Sequence, residues 1–198
     1  MRSRSPAVFL DRDGTLVHDV SYIRSPDQVR LLPGVAPVLV ALELLEIPRV
    51  IVTNQSGIAR GMFSEADYEA VHGRLTELLA EQGASITAEY HCPHHPDFTG
   101  ACECRKPGTQ LFERAAAELN LAPEASLFIG DRWRDVQPGL ALGGTAALVP
   151  AASTPESDVA TARAAGLLAE NLAEAVSRWR VATLRVPGSE PQGYNPAT

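Results

Sequence analysis

Long hydrophobic runs are missing from this sequence. The longest apolar stretch covers residues 35–42 and is interrupted by Pro37, which is far short of the roughly 18 or more residues that a membrane span needs. The first six residues lead directly into a strand-like run, without the apolar segment of a secretory signal peptide. We therefore expect a cytoplasmic protein that does not bind membranes.

Positive charge is also in short supply. Lys and Arg together number 17 against 24 Asp and Glu, so the formal net charge is −7 at pH 7. Proteins that bind nucleic acids normally carry a basic face, so this balance argues against a nucleic-acid-binding module. The 198 residues, 45% of them apolar, are enough for one domain with a full hydrophobic core. Nothing in the sequence demands more than a monomer.

Lysine is almost absent. Of the 17 basic residues all but one are Arg, and the exception is Lys106, in the segment Cys102-Glu-Cys-Arg-Lys-Pro107. Codon bias and chance explain the count equally well when it is taken alone. A single lysine in an arginine-rich chain also indicates a site that needs the compact ammonium group of Lys rather than the planar guanidinium group of Arg.

Cysteine is scarce too, but the three Cys residues lie close together, between positions 92 and 104. An odd number of thiols in a cytosolic chain argues against disulfides. Cys-x-His followed by Cys-x-Cys supplies four ligands from one loop, which suits a closed, structural Zn²⁺ site rather than a catalytic one. The predicted ligands, in a loop over residues 91–107, are Cys92, His94, Cys102 and Cys104, with His91 and His95 as alternatives to His94.

Five short apolar runs alternate with helical patterns. The runs are bounded by Gly and Asp, as in strands buried on both faces of a parallel sheet, and cover residues 7–10, 50–53, 86–91, 127–130 and 146–149. Helical periodicity follows Ser64, which begins a capping box with Asp67. It recurs over residues 109–119, 134–142 and 155–179, the last as one helix or as two separated at Gly166.

This alternation predicts an α/β fold. Strands and helices at this spacing form βαβ units with right-handed crossovers, and hence a three-layer α/β/α sandwich with a central parallel, Rossmann-like sheet. We expect one domain over residues 1–186 and a disordered tail over residues 187–198, which are rich in Pro and Gly. The gap between Thr15 and Thr53 leaves room only for a minimal cap.

Acidic and hydroxyl residues follow three of the apolar runs. Asp11 and Asp13 follow the first, Thr53 ends the second, and Asp131 follows the fourth. In open parallel sheets ligands bind beyond the carboxyl ends of the strands, and carboxylates that meet there repel each other unless a cation intervenes. Oxygen ligands of this kind suit Mg²⁺ beside a phosphate. The sequence therefore predicts a Mg²⁺ site held by Asp11, Asp13 and Asp131.

Such a cluster is also able to catalyse phosphoryl transfer. An Asp carboxylate can attack phosphorus to form an aspartyl-phosphate, while a neighbouring Asp protonates the leaving oxygen and later activates water. Thr53 and Lys106 are candidate donors to the phosphoryl oxygens. The alternative, that each motif only forms a turn after a strand, requires three independent coincidences. A response-regulator-like receiver gathers similar residues but holds its phosphoryl group, whereas Asp13 is placed to drive turnover.

Together these motifs resemble those of haloacid dehalogenase-like phosphatases, over about residues 7–150: Asp11-x-Asp13-Gly-Thr, Thr53-Asn, Lys106 and Gly130-Asp131-x-x-x-Asp135. The resemblance implies that Asp11 is the nucleophile and Asp13 the general acid/base. It further implies that Thr53 and Lys106 contact the phosphoryl group and that Asp131 binds Mg²⁺. Asp135, one helical turn further on, is expected to support a ligand rather than to be one.

Three further segments narrow the resemblance to the branch of heptose 1,7-bisphosphate 7-phosphatases and histidinol-phosphate phosphatases: Thr53-Asn-Gln-Ser-Gly-Ile-Ala-Arg-Gly61, Cys92-Pro-His-His-Pro96 and Cys102-x-Cys-Arg-Lys-Pro107. The histidinol-phosphate enzymes have an acidic residue where this chain has Ser56, and they lack the His-His pair. The expected reaction is therefore removal of the 7-phosphate of D-glycero-D-manno-heptose 1,7-bisphosphate, with histidinol phosphate as the alternative substrate.

The same resemblance implies a set of contacts to the phosphorylated sugar. They are Asp19, Val20, Ser21, Tyr22, Asn54, Gln55, Ser56, Arg105 and Arg132. Arg132 stands where heptose enzymes often have Lys, so charge is kept but the geometry of its contact with the distal phosphate differs. Arg60 is a further candidate for that phosphate, or a solvated loop residue.

Overall fold

The computed structural model describes residues 4–184, and the predicted tail over residues 187–198 lies outside them. Five strands form one sheet: β1 (Val8–Leu10), β2 (Arg49–Asn54), β3 (Ala88–Cys92), β4 (Leu127–Gly130) and β5 (Thr145–Leu148). The order is β3-β2-β1-β4-β5, and all neighbouring strands are parallel. The five predicted strands and the parallel sheet are confirmed, with strand ends shifted by one or two residues.

Seven α-helices connect and follow the strands within residues 4–184: α1 (Val35–Leu44), α2 (Glu65–Ala80), α3 (Pro96–Thr99), α4 (Gln110–Leu119), α5 (Trp133–Ala141), α6 (Glu156–Ala164) and α7 (Leu172–Leu184). The predicted helical region after residue 155 is two helices, and Gly166 between them has a positive φ of 71°. None of the helices described is long and apolar enough to cross a membrane.

Helix α1 is the long helix that periodicity did not predict. Its sequence is apolar on nearly every side, so it has no polar face to reveal a helical period. Pro37 lies in its first turn. Backbone N–H groups in the first turn have no acceptor within the helix, so the absence of an N–H in Pro37 costs no helical hydrogen bond.

The sheet is covered on both faces, which gives the predicted three layers. Along β1, Val8 and Leu10 pack into a core with residues of α1, α2 and α7. The intervening Phe9 points to the opposite face, where it contacts Phe112 of α4 and stacks on Phe128 with ring centroids 4.7 Å apart. Burial on both faces explains why these strands are continuous apolar runs rather than alternating ones.

The segment between β1 and α1 stays small. It contains a 3₁₀ turn, Pro26–Gln28, and an isolated antiparallel bridge between Val17 and Leu31, with no additional sheet or helical domain. This arrangement agrees with the expected minimal cap. The carboxyl ends of β1, β2 and β4 are therefore left open at one edge of the sheet.

The start of α2 follows the predicted capping box. The Ser64 hydroxyl accepts a hydrogen bond from the backbone N–H of Asp67 at 3.1 Å, and the Asp67 carboxylate accepts one from the backbone N–H of Ser64 at 2.8 Å. Two backbone donors that the helix leaves unpaired are thereby satisfied.

Removal of this cap tests its contribution to stability. We expect Ser64→Ala to lower the free energy of unfolding by about 1 kcal/mol, because one helix donor loses its partner. Urea denaturation gives the value. Ser157→Ala in α6 is the control, since the Ser157 hydroxyl makes only a 3.5 Å contact with Asp158, and it should change stability by less than about 0.5 kcal/mol. Equal effects of the two substitutions would contradict the role given to the cap.

Candidate active site

A cavity of about 370 Å³ lies at the carboxyl edge of the sheet. Most residues that the sequence singled out line it: Asp11, Asp13, Asp19, Ser21, Tyr22, Thr53, Asn54, Gln55, Ser56, Arg105, Asp131 and Arg132. Val20 is not among the lining residues, and it is 48% exposed. Lys106 is buried behind Asp11 rather than at the cavity surface.

Three buried carboxylates form the floor of the cavity. Oxygens of Asp11, Asp131 and Asp135 all lie within 4.8 Å of one another. Asp11 directly follows β1, and Asp131 directly follows the neighbouring strand β4, so the parallel sheet brings them together. Two of the predicted Mg²⁺ ligands, Asp11 and Asp131, lie in this set together with Asp135, which was expected to support a ligand; the carboxylate of Asp13, the third predicted ligand, is not part of the set.

The carboxylate of Asp13 is held by other groups. Both of its oxygens accept hydrogen bonds from Arg12, at 2.9 and 3.0 Å, and one also accepts a bond from Gln55 Nε2 at 3.0 Å. The same Gln55 nitrogen donates to Thr53 Oγ1 at 2.9 Å. Gln55 thus connects two of the predicted catalytic residues, Asp13 and Thr53.

Lys106 supplies a positive charge beneath this floor. Its Nζ donates to Asp11 Oδ1 at 2.6 Å, to Asp135 Oδ1 at 2.8 Å and to the carbonyl oxygen of Val52 at 2.7 Å. The backbone N–H and C=O of Lys106 also bond to the amide side chain of Asn54, at 3.0 and 3.1 Å. All three ammonium protons therefore have acceptors, and the residue is fixed at both ends.

The floor holds three carboxylates, those of Asp11, Asp131 and Asp135, but one buried ammonium group, so negative charge is in surplus when all three are ionised. Burial raises the pKa of Asp11 to about 7, although Lys106 acts in the opposite direction. Burial and the charge of Asp135 raise the pKa of Asp131 to about 6, against the opposing effect of Arg132. A divalent cation bound among these oxygens would offset the surplus, so the donor set fits a hard cation such as Mg²⁺.

Gly14 permits the close approach of two segments in this region. Its φ is +83°, and a Cβ built on it would lie 2.7 Å from Asp131 Oδ2. A side chain at this position would strain the backbone and push Asp131 away. Glycine is therefore required at position 14 of the Asp-x-Asp-Gly motif because it lets Asp131 approach the segment that carries Asp11 and Asp13.

Four arginines line the walls of the cavity: Arg60, Arg105, Arg132 and Arg134. Arg132 bonds to Asp131 Oδ2 at 3.0 Å and lies 3.7 Å from Asp19 Oδ2. Arg60 lies 2.7 Å from His95 Nε2, so His95 also belongs to the cavity rather than to the cysteine cluster. Neither Arg134 nor His95 was predicted from the sequence to belong to the substrate site; Arg134, in the first turn of α5, follows Asp131 closely enough to have been a candidate.

The loop that carries Asp19 has an unusual backbone. Ser21 and Tyr22 both have positive φ, 53° and 67°, a conformation that non-glycine residues seldom adopt. Asp19 stabilises it, because its Oδ1 accepts a bond from the backbone N–H of Ser21 at 2.9 Å and its Oδ2 accepts one from Ser153 Oγ at 2.9 Å. Asp19 thus supports the loop as well as facing the cavity.

A second cluster contains the three cysteines. The side chains of Cys92, His94, Cys102 and Cys104 offer ligand atoms within 4.8 Å of one another. Sulfur–sulfur distances are 2.9, 3.5 and 3.7 Å, longer than a disulfide, and all three thiols are free. Tetrahedral Zn²⁺ places its sulfur ligands roughly 3.7 Å apart. The cluster therefore fits a bound metal ion.

The two other histidines near this cluster have different partners. His91 Nε2 lies 3.0 Å from Glu65 Oε2, and His95 faces the cavity. His94 Nδ1 lies 3.2 Å from Cys104 Sγ and 3.7 Å from Cys92 Sγ. The structure thus places the favoured fourth ligand, rather than either alternative, beside the sulfurs.

The sequence and the fold are similar to those of known proteins. A family profile described as HAD-hydrolase-like matches residues 103–175. The chain is 41% identical over 155 residues to the D-glycero-β-D-manno-heptose-1,7-bisphosphate 7-phosphatase of Yersinia pestis, covering 75% of this chain and 82% of that one. The chain belongs to the haloacid dehalogenase-like phosphatases. It is therefore a phosphomonoester hydrolase.

Two further relatives of this phosphatase cover more of the chain. The protein of the same name from Photorhabdus laumondii is 38% identical over 175 residues, covering 85% of this chain and 92% of that one. The solved D,D-heptose 1,7-bisphosphate phosphatase from B. bronchiseptica, complexed with magnesium and phosphate, has a TM-score of 0.79 and 30% identity, and covers 89% of this chain and 99% of that one. The α/β sandwich and the predicted family are confirmed.

If the carboxylate floor holds Mg²⁺, addition of Mg²⁺ should stabilise the phosphatase. Protein freed of Mg²⁺ by dialysis should gain about 2.7 kcal/mol of unfolding free energy at pH 7.5 when Mg²⁺ is added at about 100 times its dissociation constant. The pKa values of Asp11, about 7, and Asp131, about 6, exceed those of the unfolded chain, so these groups stabilise the metal-free fold at low pH and lose that effect as pH rises. Protons compete with the cation for these carboxylates. At the same Mg²⁺ concentration, the gain in unfolding free energy should therefore be smaller at pH 5 than at pH 7.5.

Asp131→Asn should remove most of this stabilisation, because one charged oxygen ligand is lost. The control is Glu77→Gln, an exposed acid on α2 whose partner is Arg74, and it should keep the full effect. Urea denaturation with and without Mg²⁺ measures both. An Asp131→Asn protein that gained as much from Mg²⁺ as the wild type would contradict the assignment of this floor as the cation site.

Proposed function

We propose that this phosphatase removes the 7-phosphate of D-glycero-D-manno-heptose 1,7-bisphosphate. The observation that carries the proposal is the distribution of charge in the cavity: carboxylates with Lys106 form the floor, and four arginines line the walls. A substrate with two phosphate groups fits both regions. The names of the relatives from Yersinia pestis, Photorhabdus laumondii and B. bronchiseptica support the same substrate.

The alternative substrate, histidinol phosphate, suits these walls less well. It has one phosphate, and the rest of the molecule carries a protonated amine, which the arginines would repel. Ser56 faces the cavity in place of the acidic residue expected of enzymes that bind such an amine. Both features favour a second anionic group over a cationic one.

The proposed chemistry begins at Asp11. A carboxylate oxygen of Asp11 attacks the 7-phosphorus, the bond from phosphorus to the sugar oxygen breaks, and Asp13 protonates that oxygen. In the second half a water molecule attacks the aspartyl-phosphate and passes a proton to Asp13. The phosphorus–Asp11 bond then breaks, which releases phosphate and restores both side chains.

The remaining residues hold charge and orientation. Thr53 Oγ1 accepts a bond from Gln55, which leaves its proton available for a phosphoryl oxygen. Lys106 favours the ionised form of Asp11 and holds its carboxylate in place; its protons are already bonded, so it would contact a phosphoryl oxygen only by giving up one acceptor. Mg²⁺, when bound, would neutralise the phosphoryl oxygens.

We propose Asp11 and Asp131 as side-chain ligands of that Mg²⁺. Asp135 lies in the same cluster, but both of its oxygens are bonded, one to Lys106 and one to the backbone N–H of Arg132 at 3.0 Å. The carboxylate of Asp13 would have to release Arg12 or Gln55 to reach the ion. Asp13 therefore serves better as the acid/base than as a carboxylate ligand.

We also propose that the cysteine cluster holds a structural Zn²⁺. Four protein ligands leave no open position for catalysis. The cluster ends at Cys104, and Arg105 and Lys106 follow it directly. Arg105 Nη1 donates to the carbonyl oxygen of His94 at 3.3 Å. Zn²⁺ would thus fix two residues of the active site. Cytoplasmic location, a monomeric state and the lack of nucleic-acid or membrane binding stay predictions.

Substrate preference tests the proposed function. With Mg²⁺ present, we expect kcat/KM for heptose 1,7-bisphosphate to exceed that for histidinol phosphate by tenfold or more, which corresponds to about 1.4 kcal/mol of transition-state stabilisation. Phosphate release under identical conditions gives both values. A preference for histidinol phosphate would leave the chemistry of the floor in place and overturn the substrate proposed here.

Metal analysis tests the zinc proposal. Protein purified without chelators should contain about one Zn²⁺ per chain, the number that one four-ligand site binds. Cys102→Ser should lose most of the metal and have a lower thermal stability. Glu103→Gln is the control: residue 103 lies between Cys102 and Cys104 in the sequence, and the variant should keep the metal content and the thermal stability of the wild type. A folded, active and zinc-free wild-type protein would refute the assignment.

A further inference from the structure

Arg12 is the largest fully buried side chain in residues 4–184. It lies between the two catalytic aspartates Asp11 and Asp13, and its side chain is 1% exposed. Burial of a guanidinium group is unfavourable unless its charge is compensated. The groups that surround Arg12 therefore show what its charge is used for.

Its ion-pair partner is Asp13. Nε donates to Oδ1 at 2.9 Å and Nη2 donates to Oδ2 at 3.0 Å, so the guanidinium and carboxylate groups meet side by side. A two-pronged contact of this kind sets the plane of the carboxylate as well as its distance. Asp13 remains 25% exposed and faces the cavity, while Arg12 is enclosed behind it.

Tyr68 of α2 also contacts Arg12. The guanidinium carbon lies 5.2 Å from the centroid of the Tyr68 ring, within the range of a cation–π contact. Tyr68 is itself 2% exposed, and its hydroxyl donates to Glu89 Oε1. Arg12 Nη1 has no hydrogen-bond partner among the residues described, so Asp13 and the ring face are its main polar contacts.

This arrangement gives Arg12 few ways to move. A rotation of the guanidinium would break both bonds to Asp13, and the Tyr68 ring packed over the guanidinium limits its displacement. A buried ion pair contributes little net stability compared with apolar side chains of the same size. Unlike a pair of apolar side chains, the ion pair of Arg12 and Asp13 fixes the orientation of a carboxylate that faces the cavity.

We propose that Arg12, supported by Tyr68, is a positioning residue that holds the carboxylate of Asp13 in the orientation required for proton transfer. The inference rests on the proposed role of Asp13 as the general acid/base. Arg12 does not touch the substrate, and its effect on the reaction passes through Asp13.

The first test is Arg12→Lys in the metal-loaded protein, which keeps the charge and loses the two-pronged contact. We expect kcat for heptose 1,7-bisphosphate to fall by about 10- to 100-fold, part of the 10²- to 10⁴-fold that general acid–base catalysis contributes, with KM changed less than about threefold. The matched control is Arg49→Lys. Arg49 is also buried and bonds to Ser85 and Ile47, at the start of β2, and its variant should keep kcat within about twofold.

The second test combines Arg12→Lys with Asp13→Asn. If Arg12 acts through Asp13, the substitution at Arg12 should be silent once Asp13 has lost its acid/base function. A purely structural role of Arg12 would lower the residual activity of Asp13→Asn by the same factor as that of the wild type. Equal factors in the two backgrounds would overturn the proposal.

A second substrate separates this inference from the proposed function. The leaving group of p-nitrophenyl phosphate departs without protonation, so the pre-steady-state burst of p-nitrophenolate should survive in Arg12→Lys while steady-state turnover, which needs Asp13 to activate water, falls. Loss of burst and turnover together would contradict the inference. Failure of the wild type on heptose 1,7-bisphosphate would reject only the substrate, because the p-nitrophenyl phosphate arms still decide the role of Arg12.

Tyr68 provides the test if Arg12→Lys does not fold, as judged by circular dichroism. Tyr68→Phe keeps the ring and loses the bond to Glu89, whereas Tyr68→Leu loses the ring. The inference predicts a several-fold lower kcat for Tyr68→Leu than for Tyr68→Phe, at similar KM. Identical kcat values would show that the ring does not position Arg12 and would overturn the proposal.

Discussion

The buried ammonium of Lys106 is the interaction on which the rest of the site depends. It joins the end of β1, through Asp11, to the start of α5, through Asp135, and to β2 through the carbonyl oxygen of Val52. Two carboxylates could not be buried so close together without such a charge between them. A guanidinium group would be too wide and planar to reach these three acceptors as a point charge does, which explains the one lysine in a chain that otherwise uses arginine.

The position of Lys106 is in turn secured by parts of the chain that carry no reacting group. The cysteine cluster ends two residues before it, and Asn54 at the end of β2 bonds to its backbone on both sides. A long loop with little apolar content has few contacts of its own to order it. A metal ion bound by four side chains would supply that order locally, and catalytic geometry would then depend on a structural ion outside the reaction centre.

Opposite charges are arranged in layers in this cavity. Carboxylates occupy the floor, where a cation and a phosphoryl group would meet, and arginines occupy the walls, where a second anionic group would bind. Arg132 joins the two layers, since it bonds to Asp131 and lies near Asp19. The separation allows one end of a substrate to react while the other end is bound.

The sequence by itself determined the parallel sheet and the meeting of Asp11, Thr53 and Asp131, because parallel strands bring their carboxyl ends to one edge whatever the details of packing. The close spacing of the cysteines likewise determined their cluster. Only the tertiary structure decided that Asp135 joins the floor and that Asp13 turns to Arg12, since both depend on side-chain orientation and on where α5 begins. Contacts such as that of Arg12 with Tyr68 join distant segments, and no local pattern records them.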